Sequence, residues 1–491
     1  MQKPIRFRLG VALSLFVFAL TTHSVEPVPI SADEVRVLRE QVEMLSQRLA
    51  EVEAELERRR DAEAREVPQE VLEPSVERPA APAPAEPRVR VDERGVFLQS
   101  ADEAFQLRIR TRLAFEFGWF DQDRALKATV GDEQDGVGFP YARLYLDGKV
   151  FDDFQYVFEI DFAGQSGSDS PKFRDMWIGY GGIPSLFDSE MAVRVGHFRE
   201  PFSLETLGGN FDRSFTELSL LRTFAPSRNA GVELSGALLG EPGRERLSWA
   251  VGLFKDTDDI PSSNDSDEDQ GWQVTGRVTG LPYYAQDGRR LLHLGAAYSH
   301  RTPNGALVRY RVGPEASLSQ FRYIDTESLP ELFRLSDARV EEIRLLGLEA
   351  AGVWGPFSLQ GEYAQADVQT TLGGNLEFNS WYVMASYFLT GEHRPYNHGS
   401  GIFALPSVKN PFSVKGERRG LGAWELTARH SYIDLSDGPI QAGQHEATTV
   451  GVNWYLNRNV RTLLNYTSNR IEHPLYDGRM DSLTLRLAVD F

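Results

Sequence analysis

The chain has 491 residues, no cysteine, 43 glycines, 29 phenylalanines, 17 tyrosines and a formal net charge of -19. Without cysteine there are no disulfides, thiolate metal sites or cysteine nucleophiles, which suits an oxidising compartment. The acidic balance argues against nucleic acid as a partner, and a mean hydropathy of -0.35 does not suit a bundle of membrane-spanning helices.

In chain order, Lys3, Arg6 and Arg8 precede the apolar run Leu9 to Leu20, and Thr21, Thr22 and Ser24 follow it. This is the layout of a cleaved secretory signal over residues 1–24, because the apolar run is shorter than the roughly 20 residues a spanning helix needs. No later stretch approaches such a helix, so any membrane insertion must use β-structure, which can also satisfy every backbone group in lipid. Val35, Leu38, Val42, Leu45, Leu49, Val52 and Leu56 then recur at alternating steps of three and four. That narrow seam predicts a coiled-coil helix over 31–60, with Ser31 or Asp33 as its cap. Residues 61–95, rich in Pro, Ala and Glu, read as an extended linker.

From residue 96 to 491 the period changes to two. In 105–119 the odd positions Phe105, Leu107, Ile109, Leu113, Phe115, Phe117 and Trp119 are apolar, and the even ones include Arg108, Arg110, Arg112 and Glu116. A strand sends successive side chains to opposite faces, so one face is oily and the other charged. Residues 137–149 and 154–162 repeat the rule, with Arg143 and Asp147 on one wet face and Glu159 and Asp161 on the next. Further strands are expected at 172–181, 190–198, 228–239, 244–255, 271–281, 290–301, 340–353, 356–368, 377–390, 420–433, 444–456, 459–469 and 480–491, roughly sixteen in all. Short turns alternate with long polar loops such as 199–227, 256–270 and 302–339; the exception is 391–419, long where the parity asks for a short turn. The last strand ends on Phe491. The fold class is therefore an all-β transmembrane barrel of about sixteen antiparallel strands, preceded by the helical segment.

The segments VGHFREPFSLET (195–206), YFLTGEHRPY (387–396), GAWELTARHSYIDL (422–435) and GVNWYLNRNV (451–460) resemble, in order and spacing, the phosphate-selective porin O/P family. The resemblance implies a trimeric outer-membrane channel for small hydrophilic solutes or anions, with 199–227 as an inward constriction loop and a lumenal arginine ladder in which Arg112 and Arg143 match the family's strand arginines. Alternation alone puts Arg108, Arg110, Arg112, Arg143, Arg194, Arg277, Arg429 and Arg486 on the inward face. Three consecutive rungs on the first strand span about 14 Å. Guanidinium forks on a hydrated wall suit the shallow, multiple sites that conduction requires. The competing reading is that these arginines pair with Glu116, Asp147, Glu159, Asp161, Glu425 and Asp490 on neighbouring strands. In the constriction loop, where the family's phosphate-binding members carry lysines and serines, this chain runs Thr206 to Ser214 as TLGGNFDRS. Arg213, Arg222 and Arg228 stand there against Glu205 and Asp212 among other acids, so at most a weak anion preference is expected.

No histidine pair has metal-ligand spacing, and no nucleophile elbow or phosphate-binding loop is present in readable context, so neither enzyme chemistry nor a cofactor is expected. The acidic stretch DTDDIPSSNDSDEDQ (256–270) only imitates the start of a calcium loop. The rivals are a barrel enzyme or adhesin and a soluble sugar-binding β-protein. The coiled coil adds a possible contact with the cell wall from the periplasm.

Overall fold

A computed structural model describes residues 86–151, 153–163, 171–183, 191–255, 257, 271–303, 308–326, 340–370, 374–414 and 420–491. The expected signal, the coiled coil, most of the linker and nearly all of 256–270 lie outside the described residues.

Sixteen antiparallel strands close on themselves. They are β3 (Phe105–Gln122), β4 (Gly136–Val150), β5 (Phe154–Asp161), β6 (Lys172–Ile183), β7 (Met191–Arg199), β8 (Arg228–Leu238), β9 (Leu247–Lys255), β10 (Trp272–Ala285), β11 (Arg290–Arg301), β14 (Val340–Trp354), β15 (Phe357–Thr370), β16 (Gly374–Phe388), β19 (Ala423–Asp437), β20 (Ile440–Tyr455), β21 (Val460–His473) and β22 (Tyr476–Asp490). Each pairs with the next, and β22 returns to β3, with Leu483 opposite Trp119 and Asp490 opposite Arg112. Phe491 and Thr111 exchange both backbone bonds, at 2.6 and 3.0 Å, so the terminal residue finishes the seam.

Below that seam β3 continues, and a hairpin of β1 (Arg88–Asp92) and β2 (Gly95–Gln99) takes the vacant edge, Val96 opposite Ile109. Gly95 has φ +106, and a Cβ there would run into the Ile109 carbonyl oxygen, so the turn tolerates only glycine. The hairpin corrects the linker boundary: residues 88–92 are strand, because they pair with β2, which itself takes the free edge of β3.

Outward faces are apolar. Leu292, Leu294, Leu346, Leu348, Leu483 and Leu487 are all more than a third exposed. Aromatic pairs ring the barrel end that holds Phe105 and Phe491, here the terminal end: Trp424 stacks on Trp454 at 5.2 Å and Tyr283 on Trp354 at 6.3 Å. Towards the far end Phe117 stacks on Trp119 at 6.0 Å. Such girdles mark the two faces of a bilayer.

Loop lengths depart from simple alternation in the second half of the chain. At the far end β15–β16, β19–β20 and β21–β22 are joined by only a few residues, the middle turn being Gly438-Pro439 with Gly438 at φ +53. The long connections instead fold inward and fill the barrel. From the far end come residues 200–227, carrying the short helix α1 (Leu204–Leu207), and residues 308–326, carrying β12 (Arg311–Val312) and β13 (Ile324–Asp325). From the terminal end comes 389–414, carrying β17 (Tyr396–Asn397) and β18 (Ile402–Phe403).

These segments build the core. Phe202, Phe215, Leu220, Leu221 and Phe224 of the first, with Val312, Tyr323 and Ile324 of the second, pack on Ile343, Leu345, Val368, Leu376, Phe378, Ile433 and Leu435 of the wall. Inward faces of β14–β20 are thus apolar towards the far end, which corrects the expectation of an oily outside and a charged, hydrated inside. The reason is packing: a wall residue that meets a folded loop instead of water is selected for burial.

Candidate permeation pathway

All eight arginines expected on the inward face lie there, and each is in an ion pair. Arg108 and Arg110 share Asp147 at 2.5 and 2.9 Å, and Arg112 meets Asp490 at 2.6 Å. Arg143 bridges Glu159 at 2.8 Å and Asp161 at 2.7 Å. Arg194 pairs with Glu233 at 2.9 Å and Arg277 with Glu349 at 2.7 Å. Arg429 joins Glu205 at 2.7 Å to Glu315 at 2.5 Å, and Arg486 joins Glu116 at 2.6 Å to Glu217 at 3.1 Å. Of the carboxylates suggested as partners, Glu425 is the exception: it accepts from Ser214, Asn453 and Tyr455 instead.

Four of these arginines also clip the inward segments in place. Arg429 ties the first segment, through Glu205, to the second, through Glu315; the Arg429 and Glu315 side chains are each 1% exposed. Arg486 donates to the Thr216 carbonyl at 2.5 Å. Arg277 donates to the carbonyls of Ser400 at 3.1 Å and Gly401 at 2.8 Å on the terminal segment. Arg112 lies over the ring of Phe211 on the first segment, 5.5 Å from its centre. Glu362 of β15 completes the hold by accepting from the amides of Leu204 and Glu205, at 2.8 and 2.7 Å, where α1 begins.

The residues assigned to the constriction divide. Glu205, Asp212, Arg213 and Arg222 lie on the first inward segment. Arg222 pairs with Glu217 at 3.2 Å, and Arg213 donates to the Gly208 carbonyl at 3.4 Å. Burial pushes the Asp212 carboxyl above the usual carboxylate range, against the pull of Arg112. Arg228 is not in the loop: it opens β8 and pairs with Asp175 at 2.7 Å, because the strand begins one residue after the loop returns to the wall.

Sequence reasoning missed several lumenal groups. Arg199, at the end of β7, donates to the Gly208 carbonyl at 2.9 Å, and Arg461 donates to those of Arg213 and Asn210 at 2.7 and 2.9 Å. His293 sits between Glu349, at 2.9 Å, and the Tyr396 hydroxyl, at 2.8 Å. Arg394, on the terminal segment, donates to Gln360 at 2.9 Å.

Two of the open spaces among the described residues stand out. One of about 380 Å³ is lined by Gln155, Trp177, Arg194, Glu233, Arg277 and Ser400. The other, about 290 Å³ at the terminal end, is lined by Arg94, Arg108, Arg110, Arg112, Arg458 and Asp490 among others. The terminal space is lined mainly by charged side chains, whereas the larger one mixes Arg194, Glu233 and Arg277 with Trp177, Val193 and Ile402; both lie inside a closed barrel whose outside is apolar. No group of acids and histidines able to hold a metal ion occurs among the described residues.

The family described as phosphate-selective porin O and P has a model that matches residues 109–491. The chain belongs to that family. This porin is 28% identical over 494 residues to an uncharacterized protein of Caulobacter vibrioides, covering 94% of this chain and 91% of the relative. It is 24% identical over 432 residues to Porin O of Pseudomonas aeruginosa, covering 81% of this chain and 91% of that one. Among solved structures it resembles the anion-selective porin from Comamonas acidovorans, at 14% identity and a TM-score of 0.48 over 78% of this chain and 99% of that one. It also resembles the outer membrane channel DcaP of Acinetobacter baumannii, at 12% identity and a TM-score of 0.48 over 79% and 98%. Family membership makes the chain an outer-membrane porin, a channel and not an enzyme.

Proposed function

We propose that this porin lets small hydrophilic solutes diffuse across the outer membrane with at most a weak preference for anions. One observation carries the reading: every arginine of the expected ladder is matched by at least one carboxylate within 3 Å. A guanidinium already bound to a carboxylate gives a passing phosphate little of its field, and a wall of matched charge lets neutral and charged solutes pass alike. The terminal end faces the periplasm, where the coiled coil reaches towards the cell wall, and the channel works as a homotrimer.

The test is the reversal potential of purified channels in planar bilayers under a potassium chloride gradient, together with swelling of liposomes in neutral sugars. Values near zero and swelling in small sugars are expected. A reversal potential close to the ideal anion limit, or block by micromolar phosphate, overturns the reading.

A further inference from the structure

We propose that the larger of the two open spaces binds a neutral sugar, a mono- or disaccharide whose ring packs on Trp177 while its hydroxyls meet the ion pair of Arg194 and Glu233. The inference rests on the reading above and deepens it, since it names the solute class that a wall of matched charge favours.

The tryptophans point to the place. The chain has eight, and seven stand on outward faces, where indoles belong in the girdles of a barrel. Trp119, Trp272 and Trp354 are more than a third exposed, Trp249 pairs with the outward Val278, Trp381 shares a face with the outward Val383, and Trp424 pairs with Trp454 in the terminal girdle. Trp177 alone turns inward: its partners across the ladder are Val157 and Gly196, and the next residue, Ile178, faces out at 64% exposed. Glycine makes room for it, because a Cβ at Gly179 would come within 3.1 Å of the indole ring. The ring lines the space of about 380 Å³, which falls in the range of roughly 300–1,000 Å³ that small-molecule sites occupy.

The charges around that ring are matched. Arg194 and Glu233 stand opposite each other on β7 and β8, Nη2 of Arg194 donating to the carboxylate at 2.9 Å, and Arg277 is held by Glu349 at 2.7 Å. A charged solute finds no net counter-charge here and loses hydration that the paired groups do not replace. A hydroxyl both donates and accepts, so two neighbouring hydroxyls can lie along a guanidinium paired with a carboxylate, one accepting from the fork and the other donating to the acid. Gln155, Ser235 and Ser400 add neutral polar groups to the same lining.

A sugar ring carries both halves of this chemistry: hydroxyls round its edge, and a face of C–H groups that packs on an indole. A straight-chain polyol lacks the face, and a sugar acid brings a charge.

Two measurements test this. In planar bilayers, millimolar glucose or maltose is expected to lower the potassium chloride current of single wild-type channels in a saturable way, with mannitol and glucuronate much weaker. Trp177→Ala is expected to raise the half-saturating sugar concentration about three- to tenfold in a channel that still conducts, and Trp177→Phe to recover part of the loss. A current that both sugars lower only in proportion to viscosity, block by glucuronate or mannitol as strong as by the sugars, or the same half-saturation in a conducting Trp177→Ala channel overturns the proposal and leaves the porin reading standing. A wild-type protein that never conducts sinks the porin reading instead. In crystals of the wild-type protein grown with millimolar sugar, density for a ring against Trp177 is expected, and its absence overturns the proposal even if the Trp177 variants fail to fold.

Discussion

The wall from β3 to β7 and the wall from β14 to β20 obey the same rule outside and different rules inside. On β3 to β5 the inward side chains are ionic, Arg112, Glu116, Arg143, Asp147, Glu159 and Asp161 among them. On β14 to β20, towards the far end, they are Ile343, Leu345, Val368, Leu376, Phe378, Ile433 and Leu435. The outward face of a barrel strand meets one surrounding everywhere. Its inward face meets water, a charged partner or a folded loop, and its composition records which. The lumen is therefore lopsided: a hydrophobic plug leans on one wall, and the open spaces lie towards the other.

The largest effect tests the joint between those regions. Arg429→Ala leaves Glu205 and Glu315 buried without their shared cation, a loss of about 3–5 kcal/mol. The temperature at which the folded band converts to the unfolded band on a gel should fall well below that of the wild type, and single channels should become larger and noisier as two segments loosen. Wild-type heat resistance and conductance in this variant would mean that the plug is held by something other than this triad.

Next comes a contrast within one strand. Leu345 of β14 is buried in the plug, 3% exposed, whereas Leu348 faces outward, 47% exposed. Leu345→Ala opens a cavity and costs about 2–5 kcal/mol; Leu348→Ala exchanges one lipid-compatible side chain for another and costs less than about 1 kcal/mol. Equal shifts in thermal conversion would contradict the lopsided lumen.

A smaller effect is expected from the terminal segment. Gly401 has φ +63, and a Cβ there would collide with the Thr279 and Ser248 hydroxyls while displacing a carbonyl that Arg277 binds. Gly401→Val should cost about 1–3 kcal/mol. It should also shift single-channel conductance, because Ser400 borders the 380 Å³ space.

The strands were legible because lipid imposes a period of two on the outward face regardless of what lies within. All sixteen expected stretches coincide with barrel strands, and misplacement is confined to ends such as β3, which runs on to Gln122. The first inward segment was reachable only through family resemblance. The third announced itself as the long turn 391–419 that broke the parity. The second gave no sign, since nothing separates a polar external loop from one that docks Val312, Tyr323 and Ile324 inside. The ion pairs were half legible: cross-strand partners follow from alternation, as with Arg108 and Asp147, while Arg429 with Glu315 depends on a loop 114 residues away. Arg394 lay in plain view within YFLTGEHRPY, but its bond to Gln360 is a property of the packed segments and not of the string.

The smallest expected effect concerns the matched arginines of the terminal end. Arg108 is 38% exposed and shares Asp147 with Arg110, which is 24% exposed. Arg108→Gln removes one of two cations on that carboxylate, and Arg110 remains to balance it, so stability should change by less than about 1 kcal/mol. The charge lost lies at the wide terminal end, in water, where screening acts over about 8–10 Å. Its reversal potential should therefore hardly move at physiological salt, and the shift should grow at low salt, where the field of the terminal arginines reaches further into the lumen. A large shift for Arg108→Gln at physiological salt would return selectivity to the strand ladder.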